Sequence, residues 1–304
     1  MMEKTHVTDL YRKLLKSLLL LMLLGPVSLA AQDRSLQNVV DRASQAGMDR
    51  DRISEIQQRA NQSGIGEQDL AALLEPAVEL VEQNLPADFV IRKMMEGFAK
   101  NVPAGRMSPV LESIREKTPQ AALLADNWMA KPEVNSFMKS VGENQSRFRR
   151  DLISANLKSL SQNVDAGVLE GVLSELGQES VLRDRSPQAV VAAVGVLPDL
   201  PESVLQEGGV RAVLARAVGS GFSASDLQKL PGAMNAAERR SQLPAASILN
   251  GMSDQIGNGV PANQILQNLF NGNINAGPPE GIPGRPDKGP PGSRNGSGSG
   301  NGGF

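Results

Sequence analysis

The chain has no cysteine, and only one histidine, one tryptophan and one tyrosine among its 304 residues. Aromatic residues make up 3% of it. Each shortage removes a class of protein. Without cysteine there is no disulfide framework, no thiolate metal site and no lipid-bearing N-terminal cysteine, so stability has to come from packing. With few aromatics and no alternating runs of Val, Ile, Thr and Tyr, a β-sheet is not expected. The core is left to Leu, Val, Ile, Ala and Met, and 40% hydrophobic content against 21% charged is enough to build one.

The N-terminus deepens these shortages. Lys4, Arg12, Lys13 and Lys16 precede an apolar run from Leu18 to Leu24, then the breakers Gly25 and Pro26, then small residues at Ser28 and Ala30. This is the layout of a cleavable signal peptide, with cleavage expected after Ala30. The apolar stretch from Ser17 to Ala31 is shorter than the ~20 residues a spanning helix needs, so no membrane span is expected once it is removed. His6 and Tyr11 leave with residues 1–30, and the remaining chain carries 27 basic and 31 acidic side chains, a formal net charge of −4. A mildly acidic surface is a poor match for nucleic acid. An exported, periplasmic or extracellular location is expected, with the Gram-negative periplasm as the leading compartment for a disulfide-free chain.

What the sequence does contain is a repeated helix corner. An apolar residue stands at Met48, Ile65, Leu85, Val102, Val164, Leu200, Phe222, Leu243 and Val260, and in each case a second apolar residue follows five positions later. That spacing is the N′-to-N4 hydrophobic staple that fixes how a chain enters a helix. In seven of the nine the preceding residue is Gly or Asn (Gly47, Gly64, Asn84, Asn101, Asn163, Gly221, Gly259), the types that tolerate the left-handed conformation ending a helix. Asp199 and Gln242 are the exceptions. Proline or a capping residue usually follows, as at Pro103, Pro261, Asp49 and Ser223. The stretches from Leu85 and from Leu243 both run from Leu-Pro-Ala to Val-Pro-Ala, and the segment around Val164 matches that around Val102 without a gap. Two related halves are expected.

The expected fold is therefore all-α: short helices joined by Gly/Asn–apolar–Pro corners, as a helical repeat or an irregular bundle. The expected divisions are a signal peptide at 1–30, a first half at 31–116, a helical connector at 117–163, a second half at 164–274 and a tail at 275–304. Thr118-Pro119 and Ser186-Pro187 have the form of further helix starts. Phe148, Leu152, Leu157 and Leu160 predict one continuous helix over 145–160. Ten of the last 28 residues are Gly and six are Pro, without a period of three, so the tail is expected to be disordered rather than collagen-like.

Chemistry is sparse. With no His or Cys, zinc, copper and haem sites of the usual kinds are not expected, nor is a Ser–His or Cys–His nucleophile. Asp49–Arg52 interleaves acids with arginines and lacks a calcium loop's glycine, so it reads as a solvated first helical turn. Ser136 and Lys139 match a Ser-x-x-Lys pattern in letters, but the companion motifs of that enzyme class are absent and a helix surface explains them. Gly64-Ile65-Gly66 reads as a corner, not a phosphate loop. Glu112, Glu116, Glu133 and Glu143 lie near Trp128 in the chain and are the only candidates for paired carboxylates. Phe148-Arg149-Arg150 and Glu238-Arg239-Arg240 are short basic clusters for an acidic polymer or head group. Trp128, Met129, Phe137 and Met138 form either a greasy patch or core. No catalytic, cofactor or metal residues are assigned. The expected function is a non-catalytic scaffold or protein-binding module of the cell envelope with an envelope protein as partner. The alternatives are a carboxylate-based wall-glycan enzyme and a carrier of apolar ligands.

Overall fold

The computed structural model describes residues 35–206 and 209–274. The expected signal peptide and the Gly/Pro-rich tail lie outside them. Every regular element among the described residues is a helix. In chain order they are α1 (Leu36–Gln45), α2 (Arg50–Gln62), α3 (Glu67–Glu82), α4 (Asp88–Ala99), α5 (Ala104–Met129), α6 (Pro132–Ser140), α7 (Gln145–Ser161), α8 (Ala166–Leu176), α9 (Glu179–Leu182), α10 (Pro187–Gly195), α11 (Glu202–Gln206), α12 (Gly209–Gly219), α13 (Ala224–Ser241), α14 (Ala245–Gly257) and α15 (Ala262–Asn271). A 3₁₀ turn at Leu197–Asp199 separates α10 from α11.

The corners have a shared backbone. Gly47, Gly64, Asn84, Asn101, Asn163, Gly221 and Gly259 all have positive φ. After each, the next residue's N–H donates to the carbonyl five positions earlier, as Val102 does to Gly97 at 2.9 Å and Val260 to Gln255 at 3.0 Å. The left-handed residue itself donates to the carbonyl three positions earlier. These are the two bonds of a Schellman motif, and they satisfy carbonyls that a helix end would otherwise leave open. Five residues after the apolar one, Ile53, Leu70, Val90, Met107, Leu169, Leu227 and Ile265 are buried at these seven corners, as is Ile248 at the Leu243 corner, so each of these staples plants its second residue in the core.

Four departures from the expected pattern have local causes. Gln242 is left-handed as well, at φ 57°, although it is neither Gly nor Asn. Its N–H donates to Glu238, and Leu243 N–H turns to the Ser241 hydroxyl. The Leu200 corner is not of the shared type: Pro198 cannot continue the helical ladder, a 3₁₀ turn replaces the left-handed residue, and Val204 is fully buried while Leu205 is only half-buried. Gly142 and Asp184 make two left-handed turns with polar residues, Glu143 and Arg185, in the place of the apolar one. Thr118-Pro119 is not a helix start. Both residues lie inside α5, whose 26 residues exceed the expected helix length. The Thr118 hydroxyl donates to the Ile114 carbonyl at 2.8 Å, and Leu111, Ile114, Ala121, Ala122, Ala125 and Trp128 are buried on successive turns. That burial outweighs the ~3 kcal/mol a mid-helix proline costs. At Ser186-Pro187 the expectation holds: Ser186 caps α10 with Pro187 in its first turn.

The helices stack. α1 packs on α3, α3 on α5, α5 on α7, α7 on α10, α10 on α13 and α13 on α15. Beside this row α2 packs on α4, α9 and α8 on α12, and α12 on α14. Most side-chain hydrogen bonds that cross between helices join residues 33 to 45 apart, one helix pair to the next. Nearest-neighbour contact of this kind is the mark of a helical repeat rather than an irregular bundle.

Where side-chain bonds between helices fix the direction, neighbours run parallel, with one exception. Ser159 of α7 donates to Val194 of α10, and Gln188 of α10 donates to Glu143 at the start of α7, so like ends meet. Arg52 pairs with Asp88 at the two N-terminal ends of α2 and α4, and Ser63 donates to Phe98 at their C-terminal ends. Between α5 and α7 the order inverts: Lys117 donates to Leu160, Asn156 to Ala121, and Arg149 to Asp126. The two helices are antiparallel. Two stacks of parallel repeats thus meet at one antiparallel seam, and the buried apolar residues form a continuous cluster from Val39 to Leu269 across it. No helix among the described residues is long and apolar enough to cross a membrane.

Candidate binding groove

The residues singled out by sequence do not converge on a reactive centre. Ser136 and Lys139 are both exposed on α6. Glu112 faces Arg115 on its own helix, and the Arg115 guanidinium holds its carboxyl below the usual range. Glu133 is exposed on α6, while Glu143 lies at the Gly142 corner. Every carboxyl with a resolved shift (Glu82, Glu96 and Glu112) is pushed down by hydrogen bonds from cations, Glu96 to about 2 by Lys100 and Lys93. A general acid needs the opposite shift. No group of three or more His, Cys, Asp or Glu side chains among the described residues is placed to hold a metal ion.

Trp128, Phe137 and Met138 are core, not a binding patch. Trp128 packs against Phe148 with ring centroids 6.0 Å apart, which places the tryptophan in the seam. Its buried Nε1 has no hydrogen-bond partner, and a Cβ on Gly177 would lie 3.0 Å from that atom, so a larger residue at the end of α8 would require the indole to shift by a few tenths of an ångström. Of the basic clusters, Glu238, Arg239 and Arg240 are exposed at the end of α13. In the other, Phe148 is buried and Arg149 grips Asp126 through two bonds at 2.6 and 2.8 Å, which leaves Arg150 alone facing outward. Asp49 caps α2 by accepting from the N–H of Asp51, as a first helical turn should.

A concavity gathers a few of these residues, Glu143, Phe148 and Arg150, with others the sequence did not link. A cavity of about 960 Å³ is lined by α7 and α10, by the N-terminal ends of α2 and α4, and by the start of α13. From α7 it takes Arg147, Asp151, Ser154 and Lys158, whose spacing of four, three and four puts them in one stripe. From α10 come Gln188, Val191 and Ala192; Phe89 and Arg92 face in from α4. Phe89 and Ala224 are far apart in sequence, and only the tertiary fold brings both to this cavity.

Its charges are mostly matched internally. Arg52 pairs with Asp88 at 3.1 Å and Lys158 with Asp199 at 2.6 Å, while Arg147 and Asp151 stand 3.9 Å apart. Lys158 also donates to the Gly195 carbonyl that closes α10, a favourable place for a cation. Glu143 accepts from the Gln188 amide at 3.1 Å. Among the described residues Arg92 and Arg150 have no carboxylate in ion-pair range, and Arg92 lies over the Phe89 ring, 5.4 Å from its centroid. The apolar spacing of α7 was legible in the sequence, and so was the 148–150 cluster. Asp88, Phe89, Arg92 and Lys158 were not, and Arg52 was read only as part of a solvated first helical turn. The one local signal for Glu143 was a glycine stop followed by an acid where an apolar residue stands elsewhere.

Helical-repeat stacking and a mixed-charge groove define the class, a two-stack α-helical repeat protein. Comparison with models of protein families, with curated proteins and with solved structures gives no match.

Proposed function

We propose that this protein is an exported, non-catalytic binding module of the cell envelope that holds a partner protein in the groove along α7 and α10. The observation that carries this reading is the groove: a cavity of about 960 Å³ between helices of both stacks, lined by both apolar and polar side chains, with its carboxylates engaged by neighbouring cations or an amide. Such a surface suits recognition, because paired carboxylates are not available to trade protons with a substrate.

Site-specific photo-crosslinking in the producing cell tests it. A crosslinker at Ser154, in the groove, should trap a protein, whereas one at the exposed Leu123 on α5 should not. Trapping only glycan or lipid at Ser154, or nothing at all, overturns the reading. Zymography on peptidoglycan and native mass spectrometry for bound lipid address the wall-enzyme and carrier alternatives. Export rests on residues 1–30, and N-terminal sequencing of the mature chain should begin at Ala31.

A further inference from the structure

We infer that the occupant of this groove is an extended acidic peptide segment, held through its carboxylates at Arg92 and Arg150; this rests on the binding-module reading above. Three of the four groove carboxylates, Asp88, Asp151 and Asp199, have a cation of the groove beside them, and Glu143 is held by an amide. Two guanidiniums remain without one. Arg92, over an aromatic face, and Arg150, exposed on α7, present planar forks suited to carboxylates.

The other lining groups favour a peptide over other anions. Val191 and Ala192 give an apolar floor, and Ser154, Gln188 and Gln228 add donors and acceptors of the kind a backbone uses. Only two of the groove's five cations lack an acidic neighbour, too few to match the evenly spaced charges of a phosphodiester polymer. The volume lies at the upper end for a small-molecule site. From Arg147 to Lys158, α7 presents roughly 16 Å at 1.5 Å per residue, a length that about five residues of extended chain cover.

The test is fluorescence anisotropy with the full chain and a labelled peptide of roughly eight residues, two glutamates flanking leucine and valine. Binding should weaken with added salt and should drop when the glutamates become glutamines. Arg92→Gln and Arg150→Gln should each weaken it by roughly fivefold, with helical circular dichroism unchanged. Absence of peptide binding overturns the inference, as do affinities unaltered in both variants. Stronger binding to polyphosphate or to phosphatidylglycerol vesicles overturns it in favour of a polyanion or a membrane. If Ser154 still traps an envelope protein in the double variant, the binding module stands and the acidic peptide falls. If Ser154 traps none in the unaltered chain, both fall.

Discussion

The two stacks use the same corner but are fastened differently. Before the seam, neighbouring repeats are tied mainly by ion pairs: Arg42 reaches both Glu75 and Glu82, Arg52 reaches Asp88, and Arg115 reaches Glu79, with one hydroxyl tie from Ser63 to the Phe98 carbonyl. After it, most ties run from cations and hydroxyls to the backbone of the next repeat, and one ion pair, Lys158 with Asp199, stands beside them. Lys158 donates to Gly195, Ser159 to Val194 and Arg185 to Gly219. The first kind of fastening is exposed to salt and acid. The second satisfies helix-end carbonyls that do not titrate. One motif can therefore be stacked with two chemistries, and the groove lies where the two kinds of stack face each other.

The comparison breaks most completely at the seam. Trp128→Ala should cost about 3–5 kcal/mol, the usual range for a buried aromatic. Because the buried cluster runs through the seam, hydrogen exchange should quicken in α3 and in α13 alike. Faster exchange on one side only would show that the stacks unfold separately.

Next come the corners, which should behave alike in both stacks. Gly259 has φ +71° and open space where a Cβ would be, so Gly259→Val is penalised by conformation alone. It should cost roughly 1–2 kcal/mol in urea titration. Asn101→Gly, at φ 49°, should be neutral or mildly stabilising. Truncations of Val260 and Ile265 should couple, as should those of Val102 and Met107. Additive, near-zero effects at both corners would remove the common motif.

Acid should then separate the stacks. Glu82, tied across to Arg42, and Glu96 and Glu112, each paired with cations three or four residues away, all lie on α3–α5, and their folded carboxyls titrate below the ordinary value of 4.5. A depressed carboxyl adds stability above its unfolded pKa and loses it as pH falls through the folded one. The first stack should thus loosen progressively from pH 4.5 toward about 2, where Glu96 titrates. Hydrogen exchange at pH 3 against pH 6, corrected for intrinsic rates, should show lost protection in α1–α5 beyond that in α12–α15. Equal loss on both sides would refute the difference in fastening.

The smallest effect is expected from a single tie. Arg42→Gln removes two half-exposed ion pairs and should cost no more than about 1 kcal/mol, less at high salt. Ser159→Ala leaves the buried Val194 carbonyl without its side-chain donor and should cost about as much, with no salt dependence.

The corners were determined by the sequence alone. Their left-handed residue, their two backbone bonds and their staple all lie within about ten residues, so local composition at Gly47, Asn101 or Gly259 is enough to specify them. The rule failed at Gln242, at Leu200 and at Thr118-Pro119. Gln242 turns left-handed without being Gly or Asn, and the Leu200 corner yields to a 3₁₀ turn whose Asp199 is held by Lys158. Pro119 stays inside α5 because the faces on either side of it are buried. The antiparallel seam and the groove are wholly tertiary. They arise from pairs such as Asn156 with Ala121, and from residues as distant as Phe89 and Ala224, that no local pattern brings together.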